Sequence, residues 1–201
     1  NAFALGAQMT NPRAKVYLEW STLKEQDIEK RIDEIDPNCI SGKDIIVPDD
    51  NNHFYGVYHR ESGGGEQKNL AMPLCHWGKF YEELIRTIMA GNWEQDNDVE
   101  KAINYWWGMP TGVVDVICSK KLPAGTVRLV NVLKHNYKTG QFHTFTDQMY
   151  AQGHILKEKK GETLSPEEVI EMDWLAENII GRIPKIEELQ EQAKPVLTQQ
   201  G

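Results

Sequence analysis

Short β-rich runs alternate with amphipathic helical stretches along this chain, and that alternation limits its fold more than any other feature. Lys15-Val16-Tyr17-Leu18-Glu19-Trp20 has the make-up of a strand, and Ile28, Ile32 and Ile35 then mark one face of a helix behind a Thr22-to-Glu25 capping pattern. Pro37-Asn38 stops that helix. Cys39–Ser41 and Ile45–Val47 read as strand material around the polar turn Gly42-Lys43-Asp44, and Phe54–Tyr58 as another strand before the glycine tip at 62–65. The clearest helix spans 77–90, where Trp77, Phe80, Tyr81, Leu84, Ile85, Ile88 and Met89 keep helical spacing and Gly91 ends the run.

The second half continues the pattern. Val113 to Cys118 reads as a buried strand, Pro123 opens a helix running to about Gly140, and 141–151 alternates like an edge hairpin. Ser165-Pro166-Glu167-Glu168 is a helix start, with closure expected at Gly181. The organisation expected is one binding lobe over 1–186 and a polar, loosely held tail over 187–201. Strands alternating with helices imply βαβ units and an α/β fold with a mainly parallel sheet. Such sheets bind ligands outside the carboxyl ends of their strands.

That rule selects candidates. Trp20 ends the first strand. Ser41, Gly42 and Asp44 follow the second, with Gly42 allowing close backbone approach. Tyr58 and His59 end the third, His76 precedes the long helix and Trp77 opens it. Trp106, in Tyr105-Trp106-Trp107-Gly108, cannot share one side with both its aromatic neighbours. Aromatics of this kind stack flat solutes while polar strand ends take hydrogen bonds. Asp49 and Asp50 read as a solvated turn.

A net charge of −8 argues against nucleic acid as a partner. Cys75-His76 resembles a nucleophile and base, but adjacent residues do not face each other on a helix or strand. No phosphate loop, nucleophile elbow or zinc-binding helix motif is present, and no motif calls for a metal or cofactor. A binder is expected rather than an enzyme. The three cysteines are odd in number and widely spaced, which fits reduced thiols better than a disulfide framework. The opening residues read as the end of a buried helix, so residue 1 is not expected to be the natural start. The apolar face of 1–10 would want a cover, which a second copy of the chain could supply.

Several landmarks resemble, in order, the basic membrane lipoprotein family, whose members are purine-nucleoside-receptor-like solute-binding proteins of ABC transporters. They are Phe3-Ala4-Leu5-Gly6-Ala7 with Asn11-Pro12-Arg13-Ala14-Lys15-Val16, then Leu74 to Tyr81, then Ala90-Gly91-Asn92-Trp93. Trp107-Gly108 through Asp115, Gly140 to Thr146, and Met172-Asp173-Trp174 to Gly181 follow. They match the family's C-terminal half only. The resemblance implies a three-layer, Rossmann-like lobe of a type I periplasmic-binding fold, closing on a nucleoside-like solute against an N-terminal lobe outside this chain. It also implies an ABC permease as partner and a membrane-anchored, extracytoplasmic location. A cytoplasmic sensor on the same fold is the alternative. Where the family carries a ribose-binding acid, this chain has Gly56-Val57-Tyr58-His59-Arg60, so that carboxylate is missing.

Overall fold

The computed structural model describes residues 1–42, 56–63, 67–91 and 107–194. In chain order the elements are α1 (Ala2–Thr10), β1 (Val16–Tyr17), α2 (Ile28–Ile35), β2 (Cys39–Ser41), β3 (Val57–Arg60) and β4 (Gln67–Cys75). There follow α3 (Trp77–Met89), β5 (Val114–Cys118), α4 (Ala124–Lys138), β6 (Thr146–Ala151), β7 (Ile155–Thr163), α5 (Pro166–Ile170) and β8 (Ile179–Ile180). Single 3-10 turns at Ile186–Glu188 and Glu191–Ala193 complete the described chain. Among the described residues no helix is long and apolar enough to cross a membrane.

The chain divides into two compact units, residues 1–35 with 143–201, and residues 36–142. In the first, β1 and β8 pair in parallel, Val16 opposite Ile179 and Tyr17 opposite Ile180. The core of this unit gathers Ala4, Leu175, Ala176 and Ile179, with Leu5, Val16, Leu18 and Trp174 packed against it. Polar side chains close its margins. Asn1 donates to the Trp174 carbonyl at 2.8 Å and accepts from the Ala176 amide at 2.8 Å, and Asn178 donates to the Ala4 carbonyl at 2.9 Å. The β6–β7 hairpin is tied to this core by Gln152 N–H to Leu175 O at 2.9 Å and Glu177 N–H to Tyr150 O at 2.8 Å.

Two expectations change in this unit. The capping box at Ser165 forms as its sequence demands, but the helix stops after Ile170 instead of reaching Gly181. Trp174, Leu175 and Ala176 are drawn into the core, and the next residues join β1 as a strand, so burial and sheet pairing outweigh continued helix. The tail is not loose at its start. Leu189 is only 4% exposed, and Gln190 N–H reaches Thr22 O at 2.8 Å.

Among the described residues the second unit holds one sheet in the order β2-β3-β4-β5, every neighbouring pair antiparallel. The mainly parallel, three-layer Rossmann-like lobe is therefore not what the described residues form; the mixture of α and β stands, with β1–β8 as its parallel pair. The link between Arg60 and Gln67 is too short for a crossover, which takes a dozen residues or more, so the strands turn back as a hairpin. Gly56 makes the entry to β3 possible. At its φ of +65° a Cβ would collide with the Ala71 carbonyl oxygen and sit 2.8 Å from Met72 Cα. Strand β4 is not among the strands expected from sequence, and it contains Pro73. Among the described residues the β3 ladder ends at Ala71, so there Pro73 pairs with β5 and no second ladder needs its missing N–H.

Helices α3 and α4 match their sequence periodicity closely. Lys134 anchors α4 to β5 through a 2.6 Å ion pair with Asp115 and a 2.7 Å bond to Val116 O. That lysine holds the Asp115 carboxyl below its usual range. On α3 the residues Trp77, Tyr81, Ile85, Ile88 and Met89 are exposed, while Phe80 packs edge-on against Trp107 at 5.5 Å.

Candidate functional site

Because β1 and β8 run in parallel, their carboxyl ends open on one side, and a crevice there is the expected ligand position. The first unit has a cavity of about 790 Å³ at this place, lined by residues leaving β1, residues leaving β8, and the approach to α2. That is within the range of small-molecule pockets. Gly181 shapes the floor. A Cβ on it would lie 2.9 Å from Leu18 O and 3.0 Å from Leu18 Cβ, so a larger residue would force the strand ends apart.

Trp20 lines the cavity, its indole Nε1–H donating to Arg182 O at 2.8 Å. That bond fixes the ring edge across the two strand ends. Arg182 in turn grips Glu188 with both terminal nitrogens, one of them at 2.6 Å from Oε2. Glu188 also accepts from Lys185 N–H at 2.7 Å. The Arg182 guanidinium, then the Lys185 amide, hold the Glu188 carboxyl at about 2.

Glu19 also lines the cavity. Its carboxylate accepts from Arg31 Nη2 at 3.1 Å and, through the other oxygen, from Gln26 Nε2. Arg31 also donates to Glu34 at 2.7 Å, and the two carboxylates, Glu34 first, raise the guanidinium above its ordinary value. Gln26 Oε1 is buried and has no hydrogen-bond partner among the described residues. Lys24 donates to Glu187 O at 2.8 Å. The lining thus combines carboxylates and other polar side chains with an aromatic residue, an arrangement suited to orienting a planar, hydrogen-bonding solute.

Of the residues selected from sequence, Trp20 lies at this cavity. Ser41, Gly42, Tyr58, His59, His76 and Trp77 belong to the second unit, and Asp44 and Trp106 lie outside the described residues. Those in the second unit do not share one edge. His59 sits opposite Lys68 of β4 and His76 follows the far end of that strand, an offset of eight positions, or about 26 Å at 3.3 Å per residue. Tyr58, opposite Asn69, is about 23 Å from the His76 level by the same measure. Ser41 pairs with Val57 opposite Ala71, about 16 Å short of His76. The shared row of strand tips is thus corrected for these residues: antiparallel neighbours send alternate carboxyl ends to opposite edges.

Each has contacts within its own unit. The His59 ring nitrogen Nδ1 bonds Asn38 O at 2.7 Å, Gly42 N–H bonds Gly56 O at 2.7 Å, and the His76 amide bonds Val113 O at 2.8 Å at the start of α3. Burial raises the Tyr58 phenol above its usual value. Trp77 is 61% exposed and meets Phe80 edge-on. Glu19, Gln26, Arg31, Arg182 and Glu188 were not singled out from sequence. The polar run just after a strand end was the available signal for Gln26; nothing local connects Arg182 to Trp20, 162 positions away.

No family model matches this chain. Over 196 residues it is 24% identical to a purine-binding protein of Brucella abortus (strain 2308), an alignment covering 92% of this chain and 54% of that protein. The chain spans about half the length of the curated relative it matches. The similarity suggests a solute-binding role and a small-molecule ligand.

Proposed function

We propose that this protein is the solute-binding component of an ABC-type importer and takes a purine base or nucleoside at the cavity outside the β1 and β8 carboxyl ends. The observation that carries this reading is the coincidence of a purine-binding relative matched over 92% of the chain with a cavity that presents Trp20 beside Glu19 and Gln26. The indole face would stack the planar base, and the polar wall would take its edge. A second lobe of a periplasmic-binding-like fold would complete the cleft and close on the solute by hinge motion. The protein binds and releases without chemistry, and works outside the cytoplasm on a membrane anchor. A sensor in a reducing compartment is the second reading, favoured by the three free thiols Cys39, Cys75 and Cys118.

Thermal unfolding with adenine, hypoxanthine, guanine and their nucleosides tests the ligand class. A solute at one hundred times its Kd stabilises by about 2.7 kcal/mol, roughly 5–10 °C for a chain this size. Trp20→Ala should remove most of that shift. Cooperative unfolding with no shift from any purine would overturn the reading.

A further inference from the structure

The parallel pair β1–β8 has one closed edge and one open edge. Val16 N–H donates to Asn178 O and Leu18 N–H to Ile180 O, each at 2.9 Å. Successive residues of a strand turn their backbone groups to opposite sides, so Lys15, Tyr17 and Glu19 point theirs away from β8. Among the described residues no strand pairs with β1 on that side and no hydrogen bond takes those groups. The far edge of β8 is closed instead, by Gln152 Nε2 donating to Ile179 O at 2.9 Å and to Gly181 O at 3.0 Å. An open edge is a template for another strand, and two strands are fewer than a stable sheet needs.

We infer that this edge pairs with the same edge of a second copy of the chain, β1 antiparallel to β1 about Tyr17, in a symmetric dimer. The stretch Lys15-Val16-Tyr17-Leu18-Glu19 is its own complement. With Tyr17 opposite Tyr17, Val16 falls opposite Leu18 and Lys15 opposite Glu19, and two-fold symmetry repeats each pair. Opposite charges directly across an antiparallel pair stabilise it. Lys15 is exposed, and no ion pair among the described residues uses it. Glu19 shares Arg31 with Glu34, so one guanidinium meets two carboxylates and the group stays net negative toward Lys15. Parallel pairing of two copies would set Lys15 beside Lys15 and Glu19 beside Glu19, so charge selects the antiparallel arrangement. On the same face Tyr17, 46% exposed, lies opposite Ile180, and the dimer joins two such apolar pairs in one sheet. Because Glu19 lines the cavity, each copy's Lys15 borders the other copy's site.

Sedimentation velocity of the whole chain, from about 1 μM to about 1 mM, reads the assembly, and a monomer–dimer equilibrium is expected within that range. Lys15→Glu turns both attractive pairs into repulsive ones and should raise the dissociation constant at least about tenfold. Tyr17→Pro removes the central outward N–H but leaves the β8 ladder, which Val16 and Leu18 make, and should abolish the dimer. Circular dichroism checks that each variant folds, and Lys15→Glu decides alone if Tyr17→Pro does not. A monomer at every concentration, the result if another segment or another protein takes the edge, overturns the inference. So does a dimer that a folded variant leaves unchanged, since the contact then lies elsewhere.

Discussion

Replacing Ile179 by alanine, set against the same change at Ile180, tests the parallel pairing on which the cavity depends. Ile179 is 5% exposed and belongs to the core with Ala4, Leu175 and Ala176, whereas its neighbour Ile180 is 41% exposed on the other face. Ile179→Ala removes three buried carbons, about 2.4 kcal/mol at roughly 0.8 kcal/mol each. Incomplete collapse of the void adds to this, giving about 3 kcal/mol, inside the roughly 2–5 kcal/mol usual for such truncations. Ile180→Ala loses only a partly buried side chain and should cost about 1 kcal/mol. In urea unfolding with a slope near 2 kcal/mol/M, the midpoints should fall by about 1.5 M and about 0.5 M, with slopes unchanged. A register slip of one residue would exchange the two faces. Equal losses, or a larger loss at Ile180, would refute the pairing of Val16 with Ile179 and the cavity geometry built on it.

Gly56→Ala should destabilise by about 2 kcal/mol or more, since a side chain there meets both an unfavourable φ and the Ala71–Met72 backbone. Urea unfolding checks it, and a loss below about 0.5 kcal/mol would contradict the packing of Gly56 against β4. The Glu188 carboxyl is depressed from 4.5 to about 2 in the folded state, so its stabilisation is complete above pH 4.5 and vanishes as pH falls through about 2. Melting temperatures of wild type and Glu188→Gln should accordingly differ by a constant amount above pH 5 and converge between about 4.5 and 2. A difference that stays constant down to pH 2 would show that Arg182 does not hold this carboxylate.

Helices were the legible part of this chain. The spacing of apolar residues in α3, the proline and valine pattern of α4, and Ile28, Ile32 and Ile35 in α2 each announce a helix through side chains that repeat within a turn or two. Trp20, singled out because it ends a β-rich run, lines the cavity. The Ser165 capping box declared where α5 begins but not where it ends, because the stop is imposed by Trp174 to Ala176 entering a core assembled from residue 4 onward. Local pattern does not contain that information.

By itself the sequence determined an acidic α/β chain, the positions of its main helices, and one aromatic at a strand end. Tertiary structure alone decided that β1 pairs with β8, that β2 to β5 run antiparallel, and that Glu19, Gln26 and Arg31 line one cavity with Arg182 and Glu188. The physical reason is range. Helical periodicity arises from hydrogen bonds four residues apart, whereas strand direction and a pocket's walls depend on which distant segments lower their free energy most by burying surface together.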